Sequence, residues 1–180
     1  TVTFRGARVG IFFTDAAVVE NFRSLTKFSA PYLSADQVRQ MHEAGFEIGA
    51  HTHTHPNLGR LSSERARWEI THSKALLEQV IGHPVRSFAY PFGKRHIHYT
   101  ARTVNLVRES GYKGAASVAF RGGASPTSVR IFVIPRFFVT RGDSRNSFRQ
   151  KVLGHFDWLG SFQESSPAWL KSMISPEDRY

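Results

Sequence analysis

Cysteine is absent from the 180 residues. That excludes a disulfide framework and any thiolate metal site. Any metal must be held by His, Asp or Glu. Nor is there an apolar run approaching the ~18–20 residues that span a bilayer. The most apolar stretch, Arg130 to Val139, is interrupted by Pro135 and Arg136, so no membrane span is expected. Secretory-signal features are missing too. Without an initiator Met, the chain reads as a processed or truncated product, and localisation stays open. Carboxylates are scarce: 14 Asp and Glu stand against 24 Lys and Arg, a net charge of +10. A basic surface concentrates anionic partners such as acidic glycans, or simply keeps the chain soluble. The cations are dispersed, with Arg60, Arg65 and Arg67 the densest group. No run of five occurs, so no nucleic-acid partner is expected.

An apolar fraction of 41% is that of an ordinary globular chain, and this length suits one domain. Val2–Phe4 and Val9–Thr14 read as strands. Ser34 with Gln37 forms a capping box, followed by a helix through Val38, Met41 and His42 that stops at Gly45. Phe46–Ala50 reads as a strand running into His51-Thr52-His53-Thr54-His55-Pro56. A second helix starts at Ser62 or Ser63 and stops at Gly82, with Trp68, Ile70, Ala75, Leu76, Leu77, Val80 and Ile81 as its apolar positions. Of these, Trp68, Leu76, Leu77 and Val80 are expected in the core, with no substrate role. Val85–Tyr90 is a strand ending in Pro91-Phe92-Gly93. Tyr99–Ser110 is a helix, Gly114–Phe120 and Arg130–Val139 are strands, and Ser144–Leu153 is a last helix. Residues 1–153 make the main fold, and 154–180 a tail whose Trp158 and Trp169 pack on it. No repeat or linker is visible. Strands alternating with helices predict βαβ units and a parallel sheet or barrel. Sites in such folds collect at the C-terminal ends of strands, where both His51–His55 and Pro91–Gly93 fall.

Neutral imidazoles ligate zinc and similar ions well. A spacing of four lets His51 and His55 converge on a turn, and Pro56 turns His55 away from helical geometry. A bare pair of this kind is equally a polar loop, since nine histidines are scattered through the chain. A catalytic zinc usually has three protein ligands, so a carboxylate would have to complete the set. His53 reads as a neighbour. His42, His72, His83, His96 and His98 read as surface or packing residues.

Phe46 to Leu58 resembles the second motif of polysaccharide deacetylases (carbohydrate esterase family 4, the nodulation-factor deacetylase homology domain). Phe88-Ala89-Tyr90-Pro91-Phe92-Gly93 resembles their third motif. Tyr32-Leu33-Ser34 to Met41, with Ala44-Gly45, resembles the lead-in helix. Ile134-Pro135-Arg136 resembles a later barrel strand, and the likeness spans about residues 1–150. The resemblance implies an α/β fold, a distorted (β/α) barrel, holding a divalent metal, commonly Zn2+. It implies an N-acetylated polysaccharide or oligosaccharide substrate, with chitin oligomers, peptidoglycan and poly-N-acetylglucosamine all open. His51 and His55 match the metal histidines. Phe92 matches the backbone N–H donor to the oxyanion. His155, in Leu153-Gly154-His155, matches the histidine that protonates the leaving amine.

Two departures stand out. The family motif Thr-Phe-Asp-Asp-Gly supplies the base and third ligand, but here Thr1-Val2-Thr3-Phe4 runs into Arg5-Gly6. Ala7–Thr14 then resembles the next family strand, as if the aspartates and first helix were missing after Phe4. Asp15 could face the site, although a turn or helix cap is its simpler role. Many relatives carry Arg where Ala89 stands, and Arg136 is the candidate to supply that charge. Three readings follow: a deacetylase without its aspartate segment, an inactive barrel that still binds sugar or metal, and a basic module for anionic polymers. The chain as it stands is expected to be inactive as a deacetylase.

Overall fold

The computed structural model describes residues 2–4, 7–13, 33–118, 131–136 and 142–155. Six strands form one sheet in sequence order: β1 Val2–Phe4, β2 Ala7–Phe13, β3 Glu47–Ala50, β4 Ser87–Ala89, β5 Gly114–Val118 and β6 Ile134–Arg136. β2 to β6 are parallel throughout, as expected. β1 is not: it pairs antiparallel with β2, Phe4 opposite Ala7. Only Arg5 and Gly6 separate the two strands. A parallel crossover needs about a dozen residues or more, so two can only turn the chain back.

From β2 onward the strand order never reverses. Each step adds a strand on the same side, with a described helix between β2 and β3, β3 and β4, and β4 and β5. That is the progression of a (β/α) barrel, whereas an open doubly wound sheet reverses at a switch point. Residues on β3 and β4 are buried on both faces: Ile48, Gly49 and Ala50, then Phe88 and Ala89. Continuous rather than alternating burial is the mark of parallel strands covered on both sides.

The helices are α1 Ala35–Glu43, α2 Ser63–Ile81, α3 Ala101–Glu109 and α4 Arg145–Val152. Their ends follow local chemistry. Ser34 and Gln37 make the expected capping box on α1. Ser62 caps α2 by accepting from the Arg65 N–H, and Gly82 ends it at φ 70°. α3 starts later than expected, after Thr100, whose N–H donates to Thr103 Oγ1 at 3.2 Å. Tyr99 is left outside it, stacked on Tyr90 with ring centroids 4.0 Å apart. No described helix is long and apolar enough to cross a membrane.

The core joins Ile48, Phe88, Tyr90 and Ala115 of the sheet region to Ala66, Ile70 and Ile81 of α2 and Leu106 and Val107 of α3. The two buried phenols are satisfied: Tyr90 Oη donates to Phe132 O at 2.9 Å, and Tyr112 Oη to Ile70 O at 3.0 Å. Burial pushes both phenols well above their usual range.

Two expectations need correction. The inward stripe of α2 is Ala66, Glu69, Ile70 and Ser73, not one centred on Trp68 and Leu76, which are exposed. Leu77 and Val80 pack only partly buried against the core. The last strand is also shorter than Arg130–Val139. Residues 131–133 form a turn, and Pro135, lacking an N–H, cannot donate within the ladder. The expected tail beyond His155, Asp15, and the loop at 121–128 lie outside the described residues.

Candidate active site

β3 and β4 deliver the two sequence motifs side by side, Ala50 opposite Phe88 in the ladder. Directly past Ala50 the chain makes a tight turn through His51–His55. Thr52 and His55 take left-handed φ values of 68° and 55°, which cost free energy for side chains bearing a Cβ. The turn is held from inside by the buried Thr52, whose Oγ1 donates to His51 O and accepts from the His55 N–H at 3.1 Å. It is held from beneath by Glu69. That carboxylate accepts from the N–H of His53 at 3.0 Å, the N–H of Thr54 at 2.8 Å, Thr54 Oγ1 at 2.7 Å and Arg65 at 3.0 Å.

The consequence is convergence of His51 and His55, their Nε2 atoms 3.2 Å apart. His51 Nδ1 lies 2.7 Å from Ala89 O at the end of β4. A carbonyl oxygen only accepts, so Nδ1 carries the proton and Nε2 presents a lone pair. Burial, together with the nearby His55 and Arg136, pushes the His51 pKa down to about 4 against the gain from the Ala89 bond. Burial also lowers His55. Both rings are therefore neutral near pH 7, as metal ligation requires. Two ligands of a tetrahedral zinc at its usual Zn–N length stand about 3.3–3.4 Å apart. The 3.2 Å separation fits that edge. Among the described residues, no set of three His, Asp or Glu forms around the pair.

The third motif completes the floor. Phe92 has φ 57° and an exposed ring packed against His55 and His98, at 4.7 and 5.1 Å. Its backbone N–H finds no acceptor among the described residues. Gly93 follows at φ 68°, so close to β5 that a Cβ would lie 2.6 Å from Val118 Cγ2. Arg136, half-buried at the end of β6, donates to Ser117 O at 3.2 Å and Tyr90 O at 3.4 Å. Its charge is felt at His51. Four of the five expected residues thus come together.

His155 does not join them. It is exposed past α4, and its backbone N–H donates to Gln150 O. His53 is the expected neighbour, edge-on to Trp68 and His72. Trp68 itself carries Arg65 over its ring and stacks on His72, so it borders the site rather than filling the core. Glu69 was not singled out in the sequence. The signal was available: it shares helical phase with Ala66, Ile70 and Ser73.

The sequence profile described as polysaccharide deacetylase matches residues 4–115, more than half of the chain, and the chain belongs to that family. A chitooligosaccharide deacetylase of Azorhizobium caulinodans is 29% identical over 100 residues, 55% of this chain and 45% of the relative. Across the first curated relatives matched, the chain spans less than half of their length. Among solved structures, the Streptococcus pyogenes deacetylase PplD, in complex with acetate, superposes with a TM-score of 0.60. Identity is 21%, with 78% of this chain and 68% of that chain covered. A de-N-acetylase from Aggregatibacter actinomycetemcomitans gives a TM-score of 0.58 at 14% identity, covering 84% and 77%. The fold is that of the family, the distorted (β/α) barrel expected from the sequence.

Proposed function

We propose that this chain carries the metal-holding half of a site that removes N-acetyl groups from the amino sugars of a polysaccharide. The observation that carries this reading is the pair of neutral, converging Nε2 atoms of His51 and His55, 3.2 Å apart at the end of β3. His51 and His55 would hold a divalent ion, zinc by the chemistry of the donors. When bound, such an ion polarises a carbonyl oxygen and makes a water a nucleophile at neutral pH.

Other residues of the chain contribute around the pair. Ala89 O fixes the tautomer and tilt of His51. The Phe92 N–H would donate to the acetyl oxygen as it gains negative charge. Arg136 adds positive charge at the same end of the sheet, in place of the arginine that Ala89 replaces. Protonation of the departing amine, the role matched to His155, has no residue beside the pair among the described residues, since His155 lies exposed past α4. The base does not lie among the described residues, and Asp15, just past β2, is the residue in this chain to test.

A second reading, a barrel that holds sugar or metal without hydrolysis, is favoured by the missing Asp-Asp after Phe4. One experiment separates the two. Zinc content and acetate release from N-acetylglucosamine oligomers are measured for three chains: the parent, His51→Ala/His55→Ala, and a chain with a family first motif and its helix inserted between Phe4 and Arg5. The proposal expects zinc in the first and third only, and release restored by the insertion, by about 10²–10⁴-fold for a recovered general base. Zinc binding with no release from either chain supports the second reading. Equal zinc in parent and double variant overturns both.

A further inference from the structure

We infer that Glu69 is the positioning residue of the metal-holding turn: its carboxylate folds residues 51–55 so that the two imidazoles meet. The inference rests on reading His51 and His55 as a ligand pair, but its test requires no turnover. Glu69 belongs to α2, yet its side chain spends none of its bonds on the core around it. It is 0% exposed, where an unpaired carboxylate would be untenable. Its four donors are Arg65, one turn back along α2, and three groups of the turn: the His53 and Thr54 N–H and the Thr54 hydroxyl. Both backbone N–H groups of the turn use this carboxylate as acceptor. The left-handed φ values at Thr52 and His55 flank the clamped amides, so the clamp falls where the backbone most needs holding. Glutamine keeps the shape but loses the charge and turns one accepting oxygen into a donor, which opposes Arg65 at Oε1 or the His53 and Thr54 N–H groups at Oε2. Residues that orient metal ligands typically change metal affinity by about 10–100-fold when lost.

The test uses amide hydrogen exchange and titration with cobalt(II) alone, on the full chain. Glu69→Gln is expected to lose protection at His53 and Thr54 selectively, while amides of α3 and β4 keep theirs. Its cobalt affinity should fall about 10–100-fold. Thr54→Val removes one bond of the clamp and should cost about 2–10-fold; it decides the matter if Glu69→Gln does not fold. Leu106→Ala, a buried residue of α3, is the control for general destabilisation. It should lower protection broadly and leave cobalt affinity of the folded chain within about twofold, as for distant independent sites. Unchanged protection at His53 and Thr54 in Glu69→Gln overturns the inference, and so does an equal cobalt loss in Leu106→Ala. A parent that binds no cobalt refutes the ligand pair, and the amide protection then decides Glu69 by itself.

Discussion

Replacing Ile70 by alanine tests the helical phase on which the Glu69 clamp depends. Ile70 is 0% exposed, between Ala66 and Ser73 on the inward stripe of α2, while Leu76 is 38% exposed about one and two-thirds turns further on. Ile70→Ala removes buried methyl and methylene groups and leaves a void in the core that Ile70 shares with Phe88, Tyr112 and Leu106. A fully buried site of this kind costs about 2–5 kcal/mol. Leu76 already keeps over a third of its surface in water, and alanine is at least as good a helix former. Its replacement should cost under about 1.5 kcal/mol, from the smaller apolar area lost. In a chain of this length the difference corresponds to a melting shift of roughly 2–4 °C per kcal/mol. Urea unfolding of parent, Ile70→Ala and Leu76→Ala, extrapolated linearly to water, measures both. Equal losses, or a larger one for Leu76→Ala, would place the core on the wrong face of α2.

Stability of the metal-free chain should also carry the signature of His51. Its folded pKa of about 4 lies below the ordinary 6.5, so the fold favours the neutral ring. That contribution is fully present above pH 6.5 and lost as pH falls toward 4. Between pH 7 and pH 5 the loss is about 2 kcal/mol by linkage, and His51→Gln, which does not titrate, should lack that part of the slope. An identical slope in parent and variant would contradict the burial of the ring. Gly93→Ala should destabilise far more than Gly82→Ala. Both sit at positive φ, but a Cβ at Gly93 meets the Val118 backbone N at 2.7 Å, whereas nothing lies within 4 Å of one at Gly82. Equal melting temperatures for the two variants would refute the close approach of the Phe92 turn to β5.

Signals that act over short stretches of chain were legible in the sequence. Ser34 with Gln37, Ser62 and Gly82 set helix ends through bonds a few residues long, and the structure keeps all of them. His51 and His55 were legible because an apolar strand fed them and a second strand-end motif followed. What stayed hidden depends on contacts distant in sequence. Trp68 and Leu76 look like core by hydrophobicity, yet Trp68 is held outside by Arg65 and His72. Glu69 looks like surface by charge, yet it is buried because the turn brings three donors to it from 15 or 16 residues away. The direction of β1 was masked by its composition, which suits either pairing.

That direction has a consequence for how a strand's polarity is chosen. With two residues between Phe4 and Ala7, tether length alone dictates that β1 run against its neighbours. Phe4, paired with Ala7, then lies at the foot of the sheet, about seven residues of extended chain, or roughly 20 Å, from the rim where His51 and His55 meet. The Phe4 end of β1 therefore stands a strand's length short of that rim. Lengthening the connector past about a dozen residues would remove the veto and let the same three-residue strand turn over. Its far end would then point toward the histidines. In this chain, reach to the rim is a property of the tether before it is a property of any residue on it.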